Sequence, residues 1–129
     1  MVDAKRSGSI VNVSSVVSVQ SFPQNIGYTT NKAALDMITK QFALELGPHQ
    51  IRVNSINPTL VNTEPVQKLI KDVLPVDKLF IEKTPMTRIL EVNEIVNPIL
   101  YRLSDFSSMV SGTTHIVDGG MMSAFATKL

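Results

Sequence analysis

Ser15, Tyr28 and Lys32 carry side chains that together can move a proton. Tyr28 and Lys32 stand four positions apart in Tyr28-Thr29-Thr30-Asn31-Lys32, and residues four apart on a helix share one face. A phenol and an ammonium group can then serve one site. The cation favours phenolate, which suits a group that both gives and takes a proton near neutral pH. A hydroxyl at Ser15 adds a donor for an oxygen held in front of the phenol. Taken alone, a Tyr-Lys pair at this spacing is more often helix surface than site, so the surrounding elements decide.

Ser9-Ile10-Val11-Asn12-Val13 is a β-branched run that reads as a buried strand ending at Ser14-Ser15. Chemistry in open α/β sheets gathers at such strand ends. The spacing predicts a helix from Asn25 to Leu46, on which Tyr28, Lys32, Asp36 and Thr39 fall within an arc of roughly 80°. The remainder is mostly apolar, including Ala33, Ala34, Leu35, Met37, Ile38, Phe42, Leu44 and Leu46, so the helix is expected to be covered on more than one side. Gly47-Pro48 should stop it through a left-handed cap, with His49 in an exposed turn. Ile51 to Asn57 alternates as a second strand and ends at Asn57-Pro58. A right-handed crossover makes the two strands parallel and sets Ser15 beside the loop after Pro58.

From Thr59 to Pro85 runs a long segment holding Pro65 and Pro75 and a short amphipathic stretch at Val66, Leu69, Ile70, Val73 and Leu74. A lid and an inert surface excursion account for it equally well. Thr63, before Glu64-Pro65, reads most simply as a helix N-cap. Glu91 to Leu103 looks helical, with Pro98 expected to remove a hydrogen bond and bend or break it. Thr113 to Val117 is a third strand, closed by Asp118-Gly119-Gly120, and His115 there is expected to pack or cap. Residues 121–129 form a weakly patterned tail. The fold class is therefore α/β with a parallel sheet.

The chain has 129 residues and net charge +1, enough for one domain and a modest core. Its one basic cluster, Lys5-Arg6, gives no electrostatic footprint for nucleic acid or an anionic membrane. Without cysteine there is no disulfide framework, thiol nucleophile or thiolate metal site. His49 and His115 are too far apart for a local metal motif. Asp3, Asn12, Ser14 and Ser15 interrupt what would otherwise resemble a secretory leader, and no apolar run reaches membrane-spanning length. A soluble, cytoplasmic protein is expected. Asn12-Val13-Ser14 fits a glycosylation sequon but lies inside the expected strand and reads as structural.

Ile10 to Ser15, Tyr28 to Leu35, Ile51 to Pro58, Ser104-Asp105, and Ser111-Gly112 through Val117 to Gly120 together resemble the C-terminal half of a short-chain dehydrogenase/reductase. Their order and spacing fit from about Gly8 to Gly120, and Ala43 to Asn54 with Asn57-Pro58-Thr59 is most similar to the L-xylulose/dicarbonyl reductase branch. The resemblance implies a Rossmann-like sheet and NADP(H), rather than NAD(H), as cofactor. It implies that Tyr28 protonates a small-molecule carbonyl oxygen as hydride arrives, that Lys32 supports the phenolate and holds the nicotinamide ribose, and that Ser15 orients the substrate oxygen. Thr63 and the Val61 backbone match the family loop that contacts the nicotinamide carboxamide. Dimers and tetramers built partly on the Tyr-Lys helix are implied too.

Three departures accompany the resemblance. Family members are about twice this length, and their first half holds the Gly-rich phosphate turn, the residues choosing NADP over NAD, and a catalytic Asn, none of which has a counterpart here. Met1 falls where a relative is finishing a helix, so the expected unit is a partial domain, with residues 59–85 as substrate loop. Thr59 replaces a common Gly, and Pro98 interrupts a helix relatives usually keep intact. Two functions stand against each other: a carbonyl reductase impaired by truncation, and a non-catalytic subunit that pairs with itself or a full-length relative.

Overall fold

The computed structural model describes residues 1–72 and 76–124. Strand β1 (Gly8–Val13) leads through a 3-10 turn (Val16–Ser18) into helix α1 (Ile26–Leu46), and strand β2 (Ile51–Pro58) follows. Helices α2 (Glu64–Asp72) and α3 (Val76–Lys83) come next, then helix α4 (Val92–Leu103) and strand β3 (Thr114–Val117). The strands lie in the order β1-β2-β3, both pairings parallel, with Gly8 opposite Ile51 and Ser55 opposite Thr114. The parallel strand-helix-strand unit is thus as expected.

The sheet is sandwiched between α1 and α4, and its two faces are held differently. Toward α4 the strands bury an apolar core in which Ile56, Leu90 and Ile95 meet Val11, Val61, Ile99 and Val117. Full burial of one such aliphatic side chain contributes about 1.5–3 kcal/mol. Arg52 fastens the end of α4 on this side, donating to Arg102 O at 2.8 Å, Ser104 O at 3.0 Å and Ser107 Oγ at 2.8 Å. A cation at the carboxyl end of a helix also meets its dipole favourably. Toward α1 the ties are polar: Asn12 Nδ2 donates to Thr39 Oγ1 at 2.9 Å and Asn57 Nδ2 to Asp36 Oδ2 at 2.7 Å.

That polar seam reverses one expectation. The buried residues of α1 are Asp36 and Thr39, whereas Met37, Ile38, Phe42 and Leu44 are exposed. The apolar side of α1 has no cover among the described residues. Strand β1 is likewise half-buried and not buried as expected, because it is an edge strand. Gly8 N and Ser14 N both donate to the β2 side, to Gln50 O and Ile56 O. Main-chain groups of Ser9, Val11 and Val13 therefore point out of the sheet edge.

Other details depart from expectation. Gly47 keeps right-handed geometry (φ −53) and leads into a 3-10 turn, Gly47–His49; the left-handed residue is Gln50, at φ 57. Pro48 fits that turn because it stands where no N–H is needed. Helix α4 runs unbroken through Pro98, anchored at its start by a reciprocal capping box between Glu91 and Glu94. The 59–85 segment holds two helices, not one short stretch; Val73 and Leu74 of the expected stretch, Pro75 after it, and tail residues 125–129 lie outside the described residues. Within the tail, Met121 is buried. No described helix is long and apolar enough to cross a membrane.

Candidate active site

Ser15 lies just past the tip of β1, buried, with extended backbone (φ −164, ψ 156) as the cap of the following 3-10 turn. Its Oγ accepts from Val17 N at 3.4 Å and reaches Pro58 O at 3.5 Å. Both contacts are long, so the hydroxyl can exchange them for a substrate oxygen at little cost. The contact with Pro58 also puts Ser15 beside the tip of β2, as the parallel crossover requires.

Tyr28 and Lys32 occupy the first two turns of α1. The Tyr28 ring is half-exposed, and its hydroxyl has no hydrogen bond to any described residue. Lys32 Nζ lies 5.6 Å from the centre of the Tyr28 ring and donates to Val13 O at 2.9 Å. Ser14 Oγ in turn donates to Lys32 O at 3.2 Å. Lys32 is thus the link between the strand tip that carries Ser15 and the helix turn that carries Tyr28. The structure places Lys32 beside the Tyr28 ring and against the strand tip that precedes Ser15.

The loop after Pro58 supplies the other two. Leu90 N donates to Leu60 O and Asn62 N to Leu90 O, a short parallel bridge centred on Val61 and Leu90. This alternation points the main chain of Val61 away from Leu90, and among the described residues its N–H has no acceptor. Thr63 departs from the expected side-chain cap. Its carbonyl accepts from Gln67 N at 2.8 Å, while its hydroxyl has no described partner. The Val61 N–H and the Thr63 hydroxyl are thus without a hydrogen-bond partner among the described residues.

Helix α3 bears on the same end of the molecule. Phe80 stacks on Phe22 at 5.7 Å, tying the 59–85 segment to the chain between Ser15 and Tyr28. A concavity of about 520 Å³ is at the opposite end of the sheet, lined by Gly8, Ile51, Arg52 and Met109. It holds none of the site residues, and Arg52 is already engaged by α4.

A family model described as enoyl-(acyl carrier protein) reductase matches residues 2–122. Carbonyl reductase (NADPH) 2 of Sus scrofa is 44% identical over 96% of this chain and 50% of its own length. The chain belongs to the short-chain dehydrogenase/reductase family. Human L-xylulose reductase, also of this family, is 46% identical over 88% of the chain and 46% of its own length. A gluconate 5-dehydrogenase from Burkholderia cenocepacia, solved with NADP and tartrate, superposes with a TM-score of 0.88 at 29% identity, covering 96% of this chain and 48% of that one. The chain thus spans about half the length of the relatives it matches, and the family it belongs to is one of oxidoreductases. Its sheet corresponds to the C-terminal half of the short-chain dehydrogenase/reductase fold.

Sequence reasoning put Asp36 on the arc of Tyr28 and Lys32 but assigned it no task, and it gave Asn57 none beyond ending β2. Both are buried and joined to each other, and Asn57 is also joined to the turn after Ser15. The available signal was a carboxylate on the sheet-facing arc of α1 and an amide in the last turns of β2. Their pairing depends on a long-range contact that spacing does not reveal.

Proposed function

We propose that this chain carries the proton-handling half of an NADPH-dependent carbonyl reductase of the L-xylulose/dicarbonyl type, acting on an α-dicarbonyl or ketose. The observation that carries the reading is the position of Lys32, with its ammonium on the β1 tip and close to the Tyr28 ring. Ser15 donates to the substrate carbonyl oxygen and fixes its direction. Tyr28 passes its hydroxyl proton to that oxygen, and Lys32 stabilises the phenolate left behind. Because Tyr28 is half-exposed, water can return the proton. When bound, NADPH supplies the hydride that the carbonyl carbon gains, with Lys32, Val61 and Thr63 holding its ribose and carboxamide. NADP(H) is preferred over NAD(H) because the Sus scrofa relative is named for NADPH and a superposing structure holds NADP.

The test is NADPH oxidation by the purified chain with diacetyl as substrate. A rate that falls about 10²–10⁴-fold in Tyr28→Phe supports the reading, the usual contribution of a positioned acid. Failure to bind NADPH at high concentration overturns it for this chain alone.

A second reading rests on the open edge of β1 and the exposed Met37, Ile38, Phe42 and Leu44 of α1. In it the chain is a non-catalytic subunit that pairs with a copy of itself or with a full-length relative through these surfaces. Co-purification with a full-length relative distinguishes it from a partner-free, active particle.

A further inference from the structure

Asp36 is 8% exposed and Asn57 0% exposed, and no cation offsets the Asp36 carboxylate among the described residues. Lys32, one turn away, donates to Val13 O and makes no ion pair with Asp36. Burying a carboxylate against an amide alone is a costly way to join a helix to a strand, since an apolar pair would serve cohesion better. What the arrangement supplies is a donor at a fixed place. Asn57 Nδ2 reaches Asp36 Oδ2 at 2.7 Å, Ser18 Oγ at 2.8 Å and Ser15 O at 3.1 Å. Ser18 N and Ser18 Oγ also donate to Ser15 O, at 3.0 and 2.7 Å.

The main-chain oxygen of Ser15 is therefore held by both groups of its own turn and by one side chain from β2. Asp36 orients that side chain from α1, two helical turns beyond Tyr28 and one beyond Lys32. Asp36 Oδ1 and Asn57 Oδ1 are buried and have no partner among the described residues, so it is the Nδ2 end of the amide that is engaged. We infer that Asp36 and Asn57 are positioning residues: Asp36 takes one N–H of the Asn57 amide and so aims the other at the Ser15 turn, holding it in register with Tyr28 and Lys32. The inference deepens the catalytic reading above and rests on it for the consequence to the reaction.

Exchanging the two side chains separates this role from simple cohesion. Asp36→Asn/Asn57→Asp restores a hydrogen bond between helix and strand but turns a carboxylate, which has no donor, toward Ser15 O. Asn57→Asp alone faces two carboxylates and removes both links. Amide hydrogen exchange of Ser18, read by NMR against the sheet amides of Val53 and Ser55, reports the Ser15 turn without any need for turnover. In Asn57→Asp and in the exchanged pair, Ser18 exchange rises about tenfold relative to Val53 and Ser55, as expected for one lost hydrogen bond. The melting temperature recovers in the exchanged pair only.

With NADPH and diacetyl, kcat falls in both variants while the KM for NADPH stays at the wild-type value. Recovery of Ser18 protection together with the melting temperature in the exchanged pair overturns the inference, as does unchanged Ser18 exchange in Asn57→Asp. Absence of turnover in the wild-type chain would instead count against the catalytic reading, and the exchange result would still decide whether the pair holds the turn.

Discussion

Lys32 and Tyr28 differ sharply in what the fold asks of them, and Lys32→Met compared with Tyr28→Phe measures the difference. Lys32→Met keeps the length and apolar stem but removes the donor to Val13 O, a bond of 2.9 Å at the tip of β1. The site is open enough for water to replace part of that bond, so the net loss is about 1 kcal/mol, within the usual 0.5–1.5 kcal/mol. For 129 residues at roughly 2.1 cal/mol/K each, the unfolding entropy is about 0.27 kcal/mol/K, so the melting temperature should drop by about 4 °C. The Tyr28 hydroxyl has no described partner, and Tyr28→Phe should leave the melting temperature within about 2 °C of wild type. Thermal unfolding by far-UV circular dichroism at neutral pH reads both. Equal melting temperatures for Lys32→Met and wild type would refute the idea that Lys32 fastens the strand tip, and with it the link between Ser15 and Tyr28.

Further outcomes follow from the polar ties elsewhere. Asn54 is fully buried, donating to Val110 O at 2.7 Å and accepting from Thr113 N at 3.1 Å and Thr113 Oγ1 at 2.8 Å. Asn54→Ala strands three partners and should cost about 3 kcal/mol or more, read as a lower urea midpoint. Arg88 holds the Glu94 carboxyl down to about 2 from its ordinary 4.5, with a backbone bond from Glu91 adding to the effect. A lowered carboxyl stabilises above the unfolded value and loses that contribution as pH falls through the folded one. The melting-temperature gap between wild type and Glu94→Gln should be steady above pH 4.5, shrink toward pH 2, and narrow in salt because the pair is exposed. Burial, and then the charge of Arg102, depress His115 below its ordinary 6.5. Neutral His115 therefore favours the fold above pH 6.5, and that contribution is lost as pH falls through the depressed value. His115→Gln should flatten this part of the pH-stability curve, measured by thermal melts across mildly acidic pH.

The sequence by itself determined the strand-helix-strand unit and the placing of Tyr28 and Lys32 on one helix, because each rests on local signals. β-branched runs such as Ile10 to Val13, the period of α1 and the four-residue spacing of Tyr28 and Lys32 involve only neighbours along the chain. Family membership followed from the same motifs. Where local rules compete with tertiary context, the sequence misled: Pro98 sits inside an unbroken α4, and the turn after α1 takes its left-handed residue at Gln50, not Gly47.

Only the tertiary structure decided which face of α1 is buried. Hydrophobicity pointed to Met37, Ile38 and Phe42, yet the sheet accepts Asp36 and Thr39 because Asn57 and Asn12 offer them hydrogen bonds. The anchoring of Lys32 on Val13 O and the gathering of donors on Ser15 O are likewise contacts between residues distant in sequence. Such contacts depend on the strand register and the crossover that bring those residues together. No single segment of the chain encodes that distance.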